Sequence, residues 1–156
     1  MRRKAGDSSP RNRFRVAFLG SSSTAGKGQA FNWIRELSQR QENRFYEFLN
    51  FDVGGDLAYN GLERLPKLIE CRPQCAVVWI GANDNLAMTF PRFQRLAKWW
   101  KKLPQTASPA WFAESLSTII RRLKTETSAE IRLCSLASIG EDLFTTEAPQ
   151  SYFEPD

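Results

Sequence analysis

Short apolar runs alternate along this chain with longer segments in which apolar residues recur every three or four positions. The runs predict strands buried on both faces, and the recurring segments predict helices with one buried face. The predicted strands are residues 14–19, 44–53, 75–80 and 131–136, and the predicted helices are residues 29–41, a segment starting near Asn60, 90–103 and 109–126. This β-α-β-α-β-α-α-β order favours one mainly parallel sheet with helices on both faces.

Local signals refine the helix boundaries. Asn60 followed by Glu63 resembles a capping box, which predicts a helix start at Asn60. Pro66 is expected to bend this helix or to delay its start. Ser108 followed by Pro109 predicts the start of the last helix, because serine caps a helix and proline suits its first position.

The length of 156 residues favours one domain, with 42% hydrophobic and 25% charged residues as in a soluble globular protein. Residues 1–13 carry five basic residues and one acid, so we expect a basic disordered tail followed by a domain over residues 14–156. The apolar run after the tail is too short for a secretory signal, and no run reaches membrane-spanning length, which predicts a cytoplasmic location. The tail would suit nucleic acid or anionic lipid, but the nearly balanced charge elsewhere disfavours nucleic acid.

The cysteine and histidine content disfavours a metal site. Cys71, Cys75 and Cys134 are accompanied by no histidine anywhere in the sequence, whereas a zinc site needs four soft ligands. We therefore expect reduced, mostly buried thiols, with no metal and no cofactor.

The first strand ends in a turn that admits two kinds of chemistry. Residues 16–19 are apolar, and small polar residues follow Gly20, as in a strand-to-helix turn that faces a ligand. In a phosphate-binding loop the second glycine would fall on Ala25, and the residue after Lys27 would be Ser or Thr rather than Gly28. The register therefore disfavours nucleotide binding and leaves a serine nucleophile as the better hypothesis.

Three blocks support the serine hypothesis, because each lies at the end of a predicted strand. Residues 20–26 read GSSSTAG, residues 50–56 read NFDVGGD, and residues 81–84 read GAND. Together these blocks resemble those of the SGNH hydrolases, or GDSL-type esterases and lipases, with Ser21 in place of the family's first aspartate. Residues 61–66, GLERLP, also resemble the family.

The resemblance covers residues 15–143 and implies a flavodoxin-like three-layer α/β/α sandwich with strand order 2-1-3-4-5. It implies Ser22 as the nucleophile, with an oxyanion hole formed by the backbone N–H groups of Ser22 and Gly55 and the side-chain amide of Asn83. Acyl transfer needs this combination, because the donors stabilise the negative oxygen of the tetrahedral intermediate. The implied substrate is a small acyl ester.

An aromatic and basic segment lies between the third and fourth predicted strands. It contains Phe90, Phe93, Trp99, Trp100, Lys101, Lys102, Trp111 and Phe112. Most of these side chains are expected to pack on the sheet, with Phe93, Leu96, Ala97, Trp100 and Leu103 forming one apolar face. The alternative is an insert that covers acyl chains or lies at a membrane interface. Asp84 and Trp99 are the candidate substrate-binding residues.

The family's last block, D-x-x-H, supplies the general base, and this sequence has no histidine. The sequence therefore predicts a domain incomplete at its carboxyl end, without the fifth strand and inactive by itself. The strand at residues 131–136 would then be an exposed edge open to self-association. A non-catalytic remnant or binding module of the same fold remains an alternative, and a nucleic-acid binder acting through the tail is a third.

Overall fold

The computed structural model describes residues 13–22 and 32–135. The strands are β1 (Phe14–Gly20), β2 (Tyr46–Asn50), β3 (Cys75–Trp79) and β4 (Glu130–Leu133). The helices are α1 (Trp33–Gln39), α2 (Ala58–Glu70), α3 (Ala82–Thr89), α4 (Pro91–Trp100) and α5 (Pro109–Glu126), with a 3-10 turn at Gln41–Asn43. The predicted tail, residues 1–13, lies almost entirely outside the described residues.

The four strands form one parallel sheet in the order β2-β1-β3-β4. Ala17 in the central strand β1 pairs with Leu49 on one side and with Ala76 on the other. The predicted α/β fold with a parallel sheet is confirmed, and its order matches the first four strands of the expected 2-1-3-4-5. Since the strands are parallel, all their carboxyl ends lie at the same edge of the sheet.

Helices cover both faces of this sheet. Ala17 and Leu19 point towards α2 and α5 and are completely buried with Leu65 and Ile119. Side chains alternate across a strand, so Phe18 faces the opposite side. There the Phe18 ring meets the ring of Trp33 on α1 edge to face, with 5.3 Å between the centroids.

A second apolar cluster holds α3 and α4 beside the carboxyl edge of the sheet. Its buried members are Leu57, Ala87, Ala97, Leu103 and Ala107. These residues come from the start of α2, from α3, and from α4 and the segment after it. The cluster therefore fixes the aromatic and basic segment against the loop that precedes α2.

Three helices join β3 to β4, whereas the sequence predicts two. The additional helix, α3, carries the sequence ANDNLAMT, in which apolar residues have no helical period. The predicted start of α2 at Asn60 is also wrong, because α2 begins at Ala58. Asn60 lies in the first turn, where its Oδ1 accepts a hydrogen bond from Leu57 N at 3.2 Å. Pro66 lies inside α2 and does not delay its start.

The predicted apolar face of residues 90–103 is only partly buried. Ala97 and Leu103 are buried and Phe93 is half-buried, but Leu96 and Trp100 are exposed. Apolar residues lie on more than one side of this helix, and only the side that packs against the second cluster is buried.

Three strands are shorter than predicted within the described residues, since β2 and β3 cover five residues each and β4 covers four. Within the described residues β4 pairs only with β3, so it is an edge of the sheet. Self-association through this edge stays a prediction, and residue 136 lies outside the described residues.

The three cysteines are free thiols, of which Cys75 is buried and the other two are half-buried. Among the described residues, none of the helices combines the length and the apolar character needed to cross a membrane.

Leu65 offers a direct test of the main core. Leu65→Ala removes a completely buried side chain between α2 and the sheet, so we expect a loss of about 2–5 kcal/mol in unfolding free energy. Urea unfolding followed by circular dichroism measures this loss. The control is the same substitution at the exposed Leu133, which should cost less than about 1 kcal/mol. Equal losses in the two variants would contradict the packing described.

Candidate functional site

The three sequence blocks meet at the carboxyl edge of the sheet. Ser22 follows β1, Gly54 and Gly55 follow β2, and Asn83 follows β3. A Cβ added to Gly54 would lie 4.0 Å from the Cβ of Ser22, which joins the first block to the second. Asn83 Nδ2 donates a hydrogen bond to the carbonyl oxygen of Asp56 at 3.0 Å, which joins the third. The loop at residues 54–56 is therefore the common contact of all three blocks.

Gly55 occupies a position that suits glycine alone. Its φ angle of +75° lies in the left-handed region, which other residues adopt only with strain. A Cβ at this position would lie 2.8 Å from Trp100 Cζ3 and 3.1 Å from Lys101 Cε. The end of α4 therefore packs directly on the backbone of Gly55.

Asn83 is buried in the first turn of α3. Its amide carries two N–H groups, and the hydrogen bond to Asp56 uses one of them. This bond fixes the orientation of the side chain while a second donor remains on the same nitrogen. The roles of Ser22, Gly55 and Asn83 in an oxyanion hole stay predictions.

Asp56 is the charged centre of the loop. Its side chain is only 4% exposed, and its carboxylate forms ion pairs with the guanidinium of Arg64 and with Lys101 Nζ, the latter at 2.7 Å. A buried carboxylate is costly unless it is paired, so the two cations stabilise it at this position.

Arg64 connects Asp56 to two strand ends. The guanidinium donates hydrogen bonds to the carbonyl oxygens of Phe51 at 3.0 Å, Asn60 at 3.2 Å and Gly20 at 3.3 Å. Phe51 follows β2 and Gly20 ends β1, so one side chain on α2 joins the two strands at the site. Burial lowers the pKa of Arg64, and the nearby Asp52 acts in the opposite direction.

Lys101 connects the same loop to the end of α4. Besides its ion pair with Asp56, its Nζ donates a hydrogen bond to the carbonyl oxygen of Gly54 at 2.6 Å and lies 4.4 Å from the centre of the Trp100 ring. Burial lowers the pKa of Lys101, and the positive charge of Arg64 lowers it further. The Gly54 carbonyl and the Gly55 N–H belong to one peptide group. Lys101 therefore fixes the orientation of the Gly55 N–H, which is a candidate oxyanion donor.

Asp84, a candidate substrate-binding residue, makes a structural contact. Its Oδ2 and Oδ1 accept hydrogen bonds from Ala58 N at 3.0 and 3.3 Å, so the carboxylate caps the first turn of α2. Burial raises the pKa of Asp84 to about 6, although the hydrogen bond from Ala58 acts in the opposite direction. Its role in substrate binding stays a prediction.

Trp99, the other candidate, is 79% exposed, and its neighbour Trp100 makes the contact with Gly55. The sequence reasoning singled out neither Arg64 nor Lys101 as a site residue. Arg64 belongs to the segment GLERLP, whose resemblance to the family could have indicated a role at the site. No sequence spacing near Lys101 indicates that it pairs with Asp56.

The described residues contain no group of three or more histidine, cysteine, aspartate or glutamate side chains arranged to hold a metal ion.

Asp84 makes the stability of the domain depend on pH. Well below pH 4 the carboxyl is protonated in both states, and above about pH 6 the folded state holds a buried charge. The contribution of Asp84 to stability therefore falls as pH rises between these values, on the order of 2–3 kcal/mol in total. Asp84→Asn keeps an oxygen that accepts from Ala58 N but cannot ionise.

We expect Asp84→Asn to gain stability relative to the unmodified chain as pH rises from about 4 to about 7. Urea unfolding at both pH values measures the gain. Glu114→Gln, which alters an exposed carboxylate, is the control. A stability difference between Asp84→Asn and the unmodified chain that stays constant with pH would contradict the burial of this charge.

Comparison with known proteins supports the assignment of the fold. No family model matches the chain. The curated esterase TesA of Pseudomonas aeruginosa is 32% identical over 68 residues, which cover 42% of this chain and 34% of that protein. The chain thus spans about a third of the length of this relative.

Solved structures cover more of the chain. AlinE4, an SGNH-hydrolase family esterase, superimposes with a TM-score of 0.57 at 23% identity over 78% of this chain and 58% of that chain. The acetyl xylan esterase AlAXEase superimposes with a TM-score of 0.59 at 21% identity over 85% of this chain and 63% of that chain. With the parallel order β2-β1-β3-β4, these likenesses show that the chain has the fold of the SGNH, or GDSL-type, hydrolases.

Proposed function

We propose that this chain carries the nucleophile and the oxyanion hole of a serine ester hydrolase that acts on a small acyl ester. The observation that supports this most directly is the meeting of Ser22, Gly55 and Asn83 around the loop at residues 54–56. The similarity to proteins that are named esterases favours the same reaction class.

In this reaction Ser22 Oγ bonds to the ester carbonyl carbon, and the carbonyl electrons move to the oxygen. The N–H groups of Ser22 and Gly55 and the second amide N–H of Asn83 would stabilise this oxyanion, each donor contributing about 3–4 kcal/mol. The intermediate then expels the alcohol, and water hydrolyses the acyl-enzyme. Both steps need a group that accepts and returns a proton.

The residues described near the site offer no convincing base. Asp56 is paired with Arg64 and Lys101, and Asp84 is buried against Ala58 N. The chain has no histidine, and loss of the histidine base costs a serine hydrolase on the order of 10⁶ in kcat. We therefore expect this chain alone to be inactive. The same feature favours a second candidate function, a non-catalytic binding module.

Supplying the base from solution tests the proposed site. Without a base, p-nitrophenyl acetate should be hydrolysed no faster than in buffer. With added imidazole, a fluorophosphonate ester should form a bond from Ser22 Oγ to phosphorus, as fluoride leaves and imidazole takes the proton. Mass spectrometry measures the fraction of Ser22 that is modified over time.

Ser22→Ala should abolish this modification, while the exposed Ser117→Ala should leave it unchanged. Asn83→Ala should slow it by about 10²–10³, with its melting temperature measured in parallel. No modification of Ser22 at any imidazole concentration would favour the binding module. Turnover that depends on Ser22 without imidazole would show that the chain has its own base.

Lys101 provides a second test, because it holds the peptide group between Gly54 and Gly55. Lys101→Met removes the ammonium group that donates to the Gly54 carbonyl and pairs with Asp56. We therefore expect a loss of about 1–3 kcal/mol in unfolding free energy. The Gly55 amide resonance should also shift in a proton–nitrogen NMR spectrum. Lys102→Met, at the exposed neighbour, is the control and should change stability by less than about 0.5 kcal/mol. An unchanged Gly55 resonance in Lys101→Met would contradict this role.

A further inference from the structure

Helix α4 presents large apolar side chains to solvent. Leu96 is 54% exposed, Trp99 is 79% exposed and Trp100 is 61% exposed. Residues three and four positions apart are neighbours on a helix surface, so Leu96 lies beside the turn that carries both tryptophans. Single exposed apolar residues are ordinary, whereas a contiguous group of this size indicates a binding surface.

Positive charge surrounds this apolar group. The sequence has no aspartate or glutamate between Asp84 and Glu114, and residues 92–102 contain five arginine or lysine residues, of which only Lys101 is paired with Asp56. Arg92 and Arg95 are exposed and lie one turn before Leu96 and Trp99 respectively. We call Arg92, Arg95, Leu96, Trp99 and Trp100 the outer face of α4.

The contacts of α4 keep this face turned outwards. On the inner side Ala97 and Leu103 are buried in the second apolar cluster, and Phe93 packs against it. At the end of the helix, Lys101 is held by the Gly54 carbonyl and by Asp56. Rotation of α4 to bury the tryptophans would break these contacts.

We propose that the outer face of α4 binds the surface of membranes that contain anionic lipids. Tryptophan rings favour the headgroup level of a bilayer, and leucine inserts just below it. Arginine guanidinium groups pair with lipid phosphates and are attracted by the negative surface potential. The combination of apolar contact and positive charge matches this surface better than either property alone.

Nucleic acid is a less suitable occupant. Single strands bind in charged grooves where aromatic rings stack on successive bases. The high exposure of Trp99 leaves its ring on an open surface rather than in a groove. Leu96, at the centre of the face, adds apolar area that bases and phosphates do not use.

Membrane binding would bring the candidate site close to lipid. The ring of Trp100 belongs to the outer face and also packs on Gly55. Docking through α4 therefore sets the loop at residues 54–56 beside the bilayer surface. The inference does not depend on the proposed reaction, because it rests on the surface of α4 alone.

Co-sedimentation with lipid vesicles tests the proposal on the full chain. The probes are vesicles of phosphatidylcholine alone and vesicles that contain 30 mol% phosphatidylserine, each at low and at high salt. We expect binding to the anionic vesicles that weakens with salt, and at least tenfold weaker binding to phosphatidylcholine. Ser22→Ala should bind like the unmodified chain, so failure of the proposed function would not alter this result.

Matched variants identify the surface. Arg92→Gln with Arg95→Gln should weaken binding on the order of thirtyfold, because two charges are lost at the lipid surface. Arg121→Gln with Lys124→Gln, on the exposed side of α5, removes the same charge and should change binding less than threefold. Leu96→Ala with Trp99→Ala should weaken binding at least tenfold, whereas the exposed Phe45→Ala should not. Circular dichroism confirms that each variant is folded.

Several results would overturn the proposal. One is the absence of binding to anionic vesicles by the unmodified chain, and another is an equal loss in the α4 and α5 charge variants. A third is that the unmodified chain forms a dimer and does not bind vesicles, while the double variant Leu96→Ala with Trp99→Ala is a monomer. The outer face of α4 would then bind a second copy of the chain. Tight binding of a single-stranded oligonucleotide that Leu96→Ala with Trp99→Ala weakens, and that vesicles do not displace, would assign the face to nucleic acid.

Discussion

The buried carboxylate of Asp56 is the constraint on which the candidate site depends. It is almost fully removed from water, and Arg64 and Lys101 approach it from two different elements and compensate its charge. A buried charge left without any partner typically costs about 3–5 kcal/mol, so the second cation limits the loss when the first is removed. This attraction holds the loop after β2 against α2 and against the end of α4. The backbone of Gly55 is thereby fixed between a strand end and an aromatic ring.

The sequence predicts the sheet well because its central strands are buried on both faces. Residues 16–19 and 75–80 are uninterrupted apolar runs, and such runs have few alternatives to a buried parallel strand. The meeting of Ser22, Gly55 and Asn83 follows from the same property. Each residue comes after a strand, and neighbouring parallel strands end at one edge. The position of these residues was therefore predictable, although their individual contacts were not.

Features that depend on long-range packing could not be predicted from local pattern. Helix α3 has no apolar period, and it forms where Asn83 and Asp84 bond back to the loop before α2 and to its first turn. The pairing of Lys101 with Asp56 joins residues 45 positions apart, and no local spacing encodes it. The exposure of Trp100 depends on which side of α4 meets the second cluster. In each case the local sequence is compatible with more than one structure, and contacts with distant parts of the chain determine which one forms.

The carbonyl contacts of Arg64 have a consequence for local motion. Gly20, Phe51 and Asp56 share one guanidinium, so opening of the loop would leave a partly buried cation and the carbonyl groups at two strand ends without these partners. Such opening is expensive unless β1 and β2 separate as well. The loop and the sheet therefore belong to one cooperative unit. Slow hydrogen exchange at the loop amides would report on the opening of the whole domain rather than on local fluctuation.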